Sequence, residues 1–371
     1  MKIVMFGHKR IPSREGGVEI VVGELSTRMA ALGHEVTCIN RRGHHVGGRQ
    51  FDAEQNDNFR GVRLRSVPTW DVKGLAAVTS SFFAAAAAAF SNADAVHIHA
   101  EGPAAFCWIP KLFGKKVVVT IHGLDWQREK WKRGFGSKFI HWGERAAVRF
   151  ADEIVVLSEG VGQYFRDTYG RETVFIPNGV SCPDCLPARE ITQQFGLCKD
   201  SYILYLGRLV PEKGAAYLID AFRSVRTEKK LVIAGGSSDT DAFAAELKRS
   251  AAGDERILFT GFVQGGILEE LYSNAYVYVL PSDLEGMPLS LLEAMSYGNC
   301  CVTSDIEECA AVTGDYGLIF PRGDVEALRD LLQILCDDSR RVCHFRSISR
   351  DYITRKYNWD DVTKKTLELY R

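Results

Sequence analysis

Eleven short apolar runs recur along this 371-residue chain, most of them followed by a stretch with helical spacing. In the first half they lie at 2–6, 35–39, 95–99, 117–121, 153–157 and 173–176; in the second, at 202–206, 230–234, 256–259, 276–280 and 300–303. Few alternate strictly between polar and apolar, as expected of strands buried on both faces. A strand–helix repeat of this kind predicts parallel sheets covered by helices, so the expected class is α/β. Between the two sets, residues 176–187 hold Pro177, Gly179, Pro183 and Pro187, a turn-rich linker. We therefore place one domain at 1–180 and a second at 181–356, each doubly wound and of ordinary domain size.

Composition narrows the function classes. Lys and Arg number 46 against 47 Asp and Glu, a formal charge of −1. A protein whose whole surface tracks nucleic acid is visibly basic, so no nucleic-acid partner is expected. No apolar run approaches the ~20 residues of a spanning helix. The alanine-rich stretch 82–90 reads as a buried helix, and residues 1–7 read as a first strand rather than a signal peptide. Ten scattered cysteines suit a reduced, cytoplasmic setting. Cys182-Pro183-Asp184-Cys185 has C-x-x-C spacing but no second pair or His cluster to complete a zinc set, so these read as ordinary thiols. Asp239-Thr240-Asp241 has the D-x-D form, yet precedes a helical pattern starting near residue 242. It is read as acidic capping of that helix, and no metal site is expected.

In open parallel sheets ligands bind beyond the carboxyl ends of strands, and that is where the informative motifs lie. Gly16 and Gly17 open a helix after the first strand, presenting backbone N–H groups to an anion or simply making a turn. Neither G-x-G-x-x-G at that place nor G-x-x-x-x-G-K-[ST] anywhere is present, which argues against a nicotinamide dehydrogenase and a P-loop enzyme. Arg208 and Lys213 follow the strand 202–206; such a pair is suited to clamping a diphosphate, though either alone reads as a solvated loop cation. The segment from Pro281 to Gly298 is the sharpest. A loop with Glu285, Gly286, Met287, Pro288 and Leu289 leads into a helix carrying Glu293. The loop amides suit a phosphate and Glu293 a ribose diol, the alternative for Glu293 being an exposed helix glutamate. His97 and His99 end a strand, with Glu101 just beyond, and form candidate acceptor-side positions.

Together these motifs resemble the retaining GT-B glycosyltransferases of family 4. The paired glycines, Arg208 with Lys213, and Glu285-x7-Glu293 carry the likeness. Thr120-Ile121-His122-Gly123, the I-P-N-G-V linker and L-V-I-A-G-G at 231–236 add to it. His122 to Trp131 resembles a bacterial subgroup that builds surface polysaccharides. The resemblance implies a GT-B fold of two Rossmann-like domains facing an interdomain cleft, with the last helix, 357–371, packing back on the first domain. It implies that Gly16, Gly17, Arg208 and Lys213 hold the diphosphate of a UDP- or GDP-sugar, with Gly286, Met287, Pro288 and Leu289 in the same donor site. Glu293 would bind ribose and Glu285 the transferred sugar. His122 would approach that sugar, with Asp125 also on the acceptor side. The acceptor would be a glycan or polyprenyl-linked hydroxyl. Such enzymes use no metal or cofactor and no clear nucleophile. A nucleotide-sugar epimerase on the same fold and a non-catalytic nucleotide-sugar-binding protein are the rival readings.

Residues 126–149 hold seven basic residues against two acidic, a net +5, interleaved with five aromatics. This reads as a peripheral contact with the anionic inner face of the cell membrane, or as a charged face with aromatics turned inward.

Overall fold

The computed structural model describes the chain apart from residues 44–56, 71, 73–74, 128–134 and 238–239. It divides into two compact units: Met1–Gly179 with Trp359–Arg371, and Val180–Asn358. Val180, Tyr357 and Asn358 go with the second unit because the Val180 N–H donates to the Tyr357 carbonyl at 2.8 Å and Val180 bridges Asn358.

The amino unit has eight strands: β1 (Lys2–Phe6), β2 (Glu35–Arg41), β3 (Asn58–Phe59), β4 (Val62–Val67), β5 (Ala95–His99), β6 (Lys116–Ile121), β7 (Glu153–Val156) and β8 (Val174–Phe175). They form one sheet in the order β3-β4-β2-β1-β5-β6-β7-β8, parallel except at the β3–β4 edge. The Val, Ile, Met and Phe side chains of β1, β5 and β6 are almost wholly buried, as are the two histidines of β5, which is why these strands show no alternation. The alanine-rich stretch lies in the helix Leu75–Ala89. Ala84, Ala85, Ala88 and Ala89 pack into the same core as Val96 and Ile98. The helix Trp359–Glu368 belongs to this unit, and Arg28 donates from Nε to Asp360 at 3.1 Å.

The carboxyl unit has six parallel strands: β9 (Tyr202–Leu206), β10 (Lys230–Ala234), β11 (Ile257–Gly261), β12 (Val277–Leu280), β13 (Cys301–Ser304) and β14 (Leu318–Phe320). Their order is β11-β10-β9-β12-β13-β14. Three strands, β3, β4 and β14, were not expected from sequence. β4 reads Val-Arg-Leu-Arg-Ser-Val and leaves three of its six side chains exposed, so it lacks the apolar run sought. The other two are only two and three residues long.

In each sheet the first strand is flanked on one side by its successor in the chain and on the other by a later one. β1 lies between β2 and β5, and β9 between β10 and β12. Chain connections therefore diverge at β1 and at β9, opening a crevice at their carboxyl ends. The segments starting at Gly7, Gly207 and Pro281 occupy those positions.

Candidate active site

In the carboxyl unit, β9 and β12 deliver two loops side by side. Between Pro211–Lys213, a single 3-10 turn, and the helix Ala215–Arg223 lies Gly214, with φ +67°. A Cβ there would sit 1.8 Å from the Pro281 carbonyl oxygen, so glycine is what lets the loops touch. The Asp283 N–H also donates to the Glu212 carbonyl at 2.8 Å.

This close approach joins two residues 72 positions apart. Lys213 Nζ donates to both carboxylate oxygens of Glu285, at 2.5 and 2.6 Å. Ser282 Oγ donates to Glu285 Oε1 at 2.7 Å. The pair is mostly withdrawn from water, with side chains 15% and 6% exposed. Screening by solvent is weak in such a place, so the lysine charge is answered internally until another anion competes for it. Ser282 was missed from sequence; its place in P-S-x-x-E is the only signal that pointed to it. Arg208 lies in the same loop as Lys213, and its carbonyl accepts from Tyr205 OH at 3.1 Å.

The loop 285–288 runs into the helix Leu289–Ser296, whose N-cap, Pro288, offers no side-chain cap. The first N–H groups of that helix are thus left to water or an anion. Glu293 stands inside it, two turns beyond Glu285, and accepts from Tyr272 OH at 3.1 Å. Tyr272 is stacked on Tyr297 with ring centroids 5.3 Å apart, so a packed phenol fixes the carboxylate.

In the amino unit, Gly7 has φ +110° and lies so near β5 that a Cβ would be 2.0 Å from the His99 carbonyl oxygen. The loop that follows is pinned by Asn40, which accepts from the Ile11 N–H and donates to the Ile11 carbonyl. His8 Nε2 also meets Asn40 Oδ1 at 2.9 Å, and burial lowers the His8 pKa to about 4. Gly16 caps the helix Gly17–Ala31 without a side-chain bond. Buried Glu19 lies in the first turn of that helix and accepts from the Lys9 N–H at 2.8 Å. The positive end of the helix therefore already faces one carboxylate, which an incoming anion at Gly16 and Gly17 would have to share.

The histidines form a chain of contacts. His97 is fully buried; its Nδ1 meets Tyr370 OH at 2.6 Å and its Nε2 meets Thr120 Oγ1 at 2.7 Å. Both ring nitrogens are taken up inside the unit, so His97 is a core residue rather than one that faces a ligand. Burial lowers its pKa to about 3. His99 stacks on it at 4.2 Å between centroids and approaches His122 Nε2 through Nδ1 at 3.1 Å. Burial also holds His99 neutral, with its pKa far below the ordinary value.

Glu101 is buried just beyond β5, where its Oε2 accepts from the Asp125 N–H at 2.7 Å. Its pKa is pushed well up, first by burial and then by the charges of Asp125 and Glu144, so this carboxyl keeps its proton. Glu144, also fully buried, is held by Tyr169 OH at 2.6 Å and Tyr164 OH at 3.1 Å. Sequence reading counted Glu144 only as a charge within the basic segment; nothing local linked it to Glu101, 43 residues earlier.

Of that segment, residues 128–134 lie outside the described ones, including Arg128, Lys130, Trp131, Lys132 and Arg133. In the helix Phe135–Phe150, Phe139 turns into the core while Lys138, Trp142, Arg145 and Arg149 are exposed. Their spacing of four, three and four residues sets them along one stripe. Asp239 of the D-x-D sequence is also outside the described residues. The helix there is Asp241–Ala251, with the acidic Asp241 in its first turn and Thr240 at the N-cap without a side-chain cap. Among the described residues no cluster of three or more His, Cys, Asp or Glu is arranged to hold a metal. No described helix is long and apolar enough to cross a membrane.

Two parallel α/β units, each with its loops at a sheet crevice, define a GT-B fold. Residues 15–182 match the family described as Glycosyltransferase Family 4, and 200–338 match Glycosyl transferases group 1. The chain belongs to the glycosyltransferases. It is 30% identical over 203 residues to the O-antigen chain mannosyltransferase B of Escherichia coli, covering 53% of this chain and 51% of that protein. The match thus spans about half the length of that enzyme. It is 27% identical over 288 residues to an alpha-maltose-1-phosphate synthase of Mycolicibacterium smegmatis, covering 70% and 74% of the two chains. Among solved structures, sucrose-phosphate synthase from Thermosynechococcus elongatus superposes with a TM-score of 0.81 at 22% identity, covering 100% and 98%. Anabaena HepE in complex with UDP-glucose gives 0.80 at 16% identity, covering 99% and 98%.

Proposed function

We propose that this glycosyltransferase moves a sugar from a UDP- or GDP-sugar to a hydroxyl of a glycan or polyprenyl-linked acceptor, retaining the anomeric configuration without metal or cofactor. The observation that carries the reading is the withdrawn Lys213–Glu285 pair at the ends of β9 and β12. A diphosphate beside it competes for the lysine, with Arg208 as second cation. That leaves Glu285 to take a hydroxyl of the transferred sugar. Both cations then face the charge that grows on the leaving phosphate. Glu293, fixed by Tyr272, takes the ribose diol, and backbone N–H groups of Gly286, Met287 and Leu289, beside Pro288, add phosphate donors. Gly16 and Gly17 are candidate phosphate-binding amides of the amino unit. No residue is assigned as nucleophile or general base; the leaving phosphate receives the acceptor proton. His122, braced by His99, contacts the sugar, and Glu101 and Asp125 lie on the acceptor side. HepE, whose structure holds UDP-glucose, supports the donor class, and the E. coli mannosyltransferase supports surface-polysaccharide synthesis.

A thermal-shift series with UDP, GDP, UDP-glucose and GDP-mannose tests this. A ligand that binds only the folded state stabilises it by about 2.7 kcal/mol at a hundred times its Kd. One nucleotide series should raise Tm, and EDTA should leave the shift and the transfer unchanged. No shift from any of them sinks the donor reading. A donor sugar converted in place without acceptor would mark an epimerase, and binding without transfer to any acceptor would mark a binding protein.

We also assign the stripe Lys138, Trp142, Arg145 and Arg149, with the basic residues before it, to an anionic lipid surface on the cytoplasmic side. Its exposed tryptophan among cations supports this. Making Trp142, Arg145 and Arg149 Ser should abolish co-sedimentation with phosphatidylglycerol vesicles; unchanged binding rules the surface out.

A further inference from the structure

Cys182 and Cys185 are both exposed, and both meet one cation. Arg350, on the helix Ser339–Lys356, donates from Nη2 to Cys182 Sγ at 3.3 Å and from Nη1 to Cys185 Sγ at 3.6 Å. Nη2 also donates to the Pro183 carbonyl, and Cys185 Sγ–H donates to the Tyr297 carbonyl at 3.7 Å. The terminal nitrogens of a guanidinium are rigidly coplanar, so bonding one sulfur to each brings the two sulfurs to one edge of a single plane. Pro183 stiffens the turn between them. Among the described residues the other exposed cysteines, Cys198 and Cys343, share no such guanidinium. The arrangement also differs from the ordinary-thiol reading of the C-x-x-C spacing.

We propose that Cys182 and Cys185 are a redox-active dithiol that low-molecular-weight disulfides convert to an intramolecular disulfide. In the first step the thiolate of one cysteine attacks a sulfur of the small disulfide, breaking its S–S bond and releasing one thiol, which carries away the proton lost by the cysteine. A mixed disulfide remains. In the second step the other cysteine, as thiolate, attacks the protein sulfur of that mixed bond and expels the second small thiol with the second proton. Two protein thiols lose two electrons, the small disulfide gains them, and the balance is two small thiols for one protein disulfide. Arg350 stands over the sulfur that carries negative charge in either step. The hydrogen bond to Cys182 is also the chief cause that raises the pKa of Arg350. In a reducing compartment such pairs are transient and sense the thiol–disulfide poise rather than holding structure. The site is independent of the sugar-transfer residues. It lies two residues past the point where the chain leaves the amino unit, and Arg350 lies eight residues before the second unit ends.

The test is to treat the reduced, full-length protein with oxidised glutathione, quench by alkylation, and map the cysteines by peptide mass spectrometry. The expected product is a Cys182–Cys185 disulfide, while Cys198 and Cys343 end as glutathione adducts. Persistent glutathione adducts or free thiols at Cys182 and Cys185 overturn the proposal. Arg350→Met, which keeps the length and removes the donors, should slow oxidation at this pair about tenfold relative to Cys343 in the same sample. An unchanged ratio overturns the role of Arg350. The Cys343 signal and a melting curve report whether that variant is folded, and the wild-type result needs no variant.

Discussion

Replacing Lys213 by Met should leave less than about one-hundredth of the transfer rate, the loss typical of removing one group aimed at a developing negative charge. It should also lower stability, because the buried Glu285 carboxyl loses its cation and is left with Ser282 as a side-chain donor. Removing one partner of such a pair costs about 3 kcal/mol, and a unit of this size loses roughly 2–4 °C of Tm per kcal/mol. The two effects separate in the double variant, Lys213→Met with Glu285→Gln. With both charges gone the melting temperature should recover most of its loss, whereas transfer should stay at the level of the single variant or below. Calorimetry beside initial-rate measurements decides it. If Lys213→Met melts low yet transfers at a normal rate, the pair is architectural and the diphosphate belongs elsewhere.

Gly214→Ala should be the most damaging single methyl added near the site. Its φ of +67° costs alanine about 1 kcal/mol, and the new Cβ would overlap the Pro281 carbonyl oxygen, 1.8 Å away. Gly170 provides a control: it has φ +61° at the end of the helix Glu159–Tyr169, with nothing within 4 Å of a Cβ. Gly170→Ala should cost about 1 kcal/mol, and Gly214→Ala at least about 3, because Pro281 has to move. Pro281 adjoins Ser282, so that movement also pulls Glu285 away from Lys213, and turnover should fall further than stability alone accounts for. Urea unfolding of both variants, with rates on the folded protein, checks this. Equal costs at the two glycines would mean that the loops do not depend on their contact.

These two variants also show what a linear sequence can and cannot carry. The strands around β1 and β9 were legible because a buried parallel strand is written locally, as a run of Val, Ile and Leu. The exposed, arginine-bearing β4 was not, since its place is set by pairing with β2. Among the candidate residues, Lys213 and Glu285 each stand just past a strand, which spacing reveals. That they bond to one another follows from β9 and β12 being neighbours, a fact of topology. His97 misled for a related reason. A histidine at the end of a strand resembles a ligand-facing one until the phenol of Tyr370, 273 residues later, is found against it. Glu144 stayed hidden among basic neighbours, although it is fully buried and its partners include two tyrosines and a carboxyl from another helix.

The contact between His97 and Tyr370 bears on how the protein is made. A ribosome that has reached Gly179 has synthesised every strand of the amino unit's sheet, but not Trp359, whose ring packs at Gly179, nor the phenol that holds His97. All 179 residues of the other unit must be synthesised first. The first unit to emerge is therefore the last to be completed, and the histidines stacked behind His122 reach their final packing only after the carboxyl unit has been synthesised.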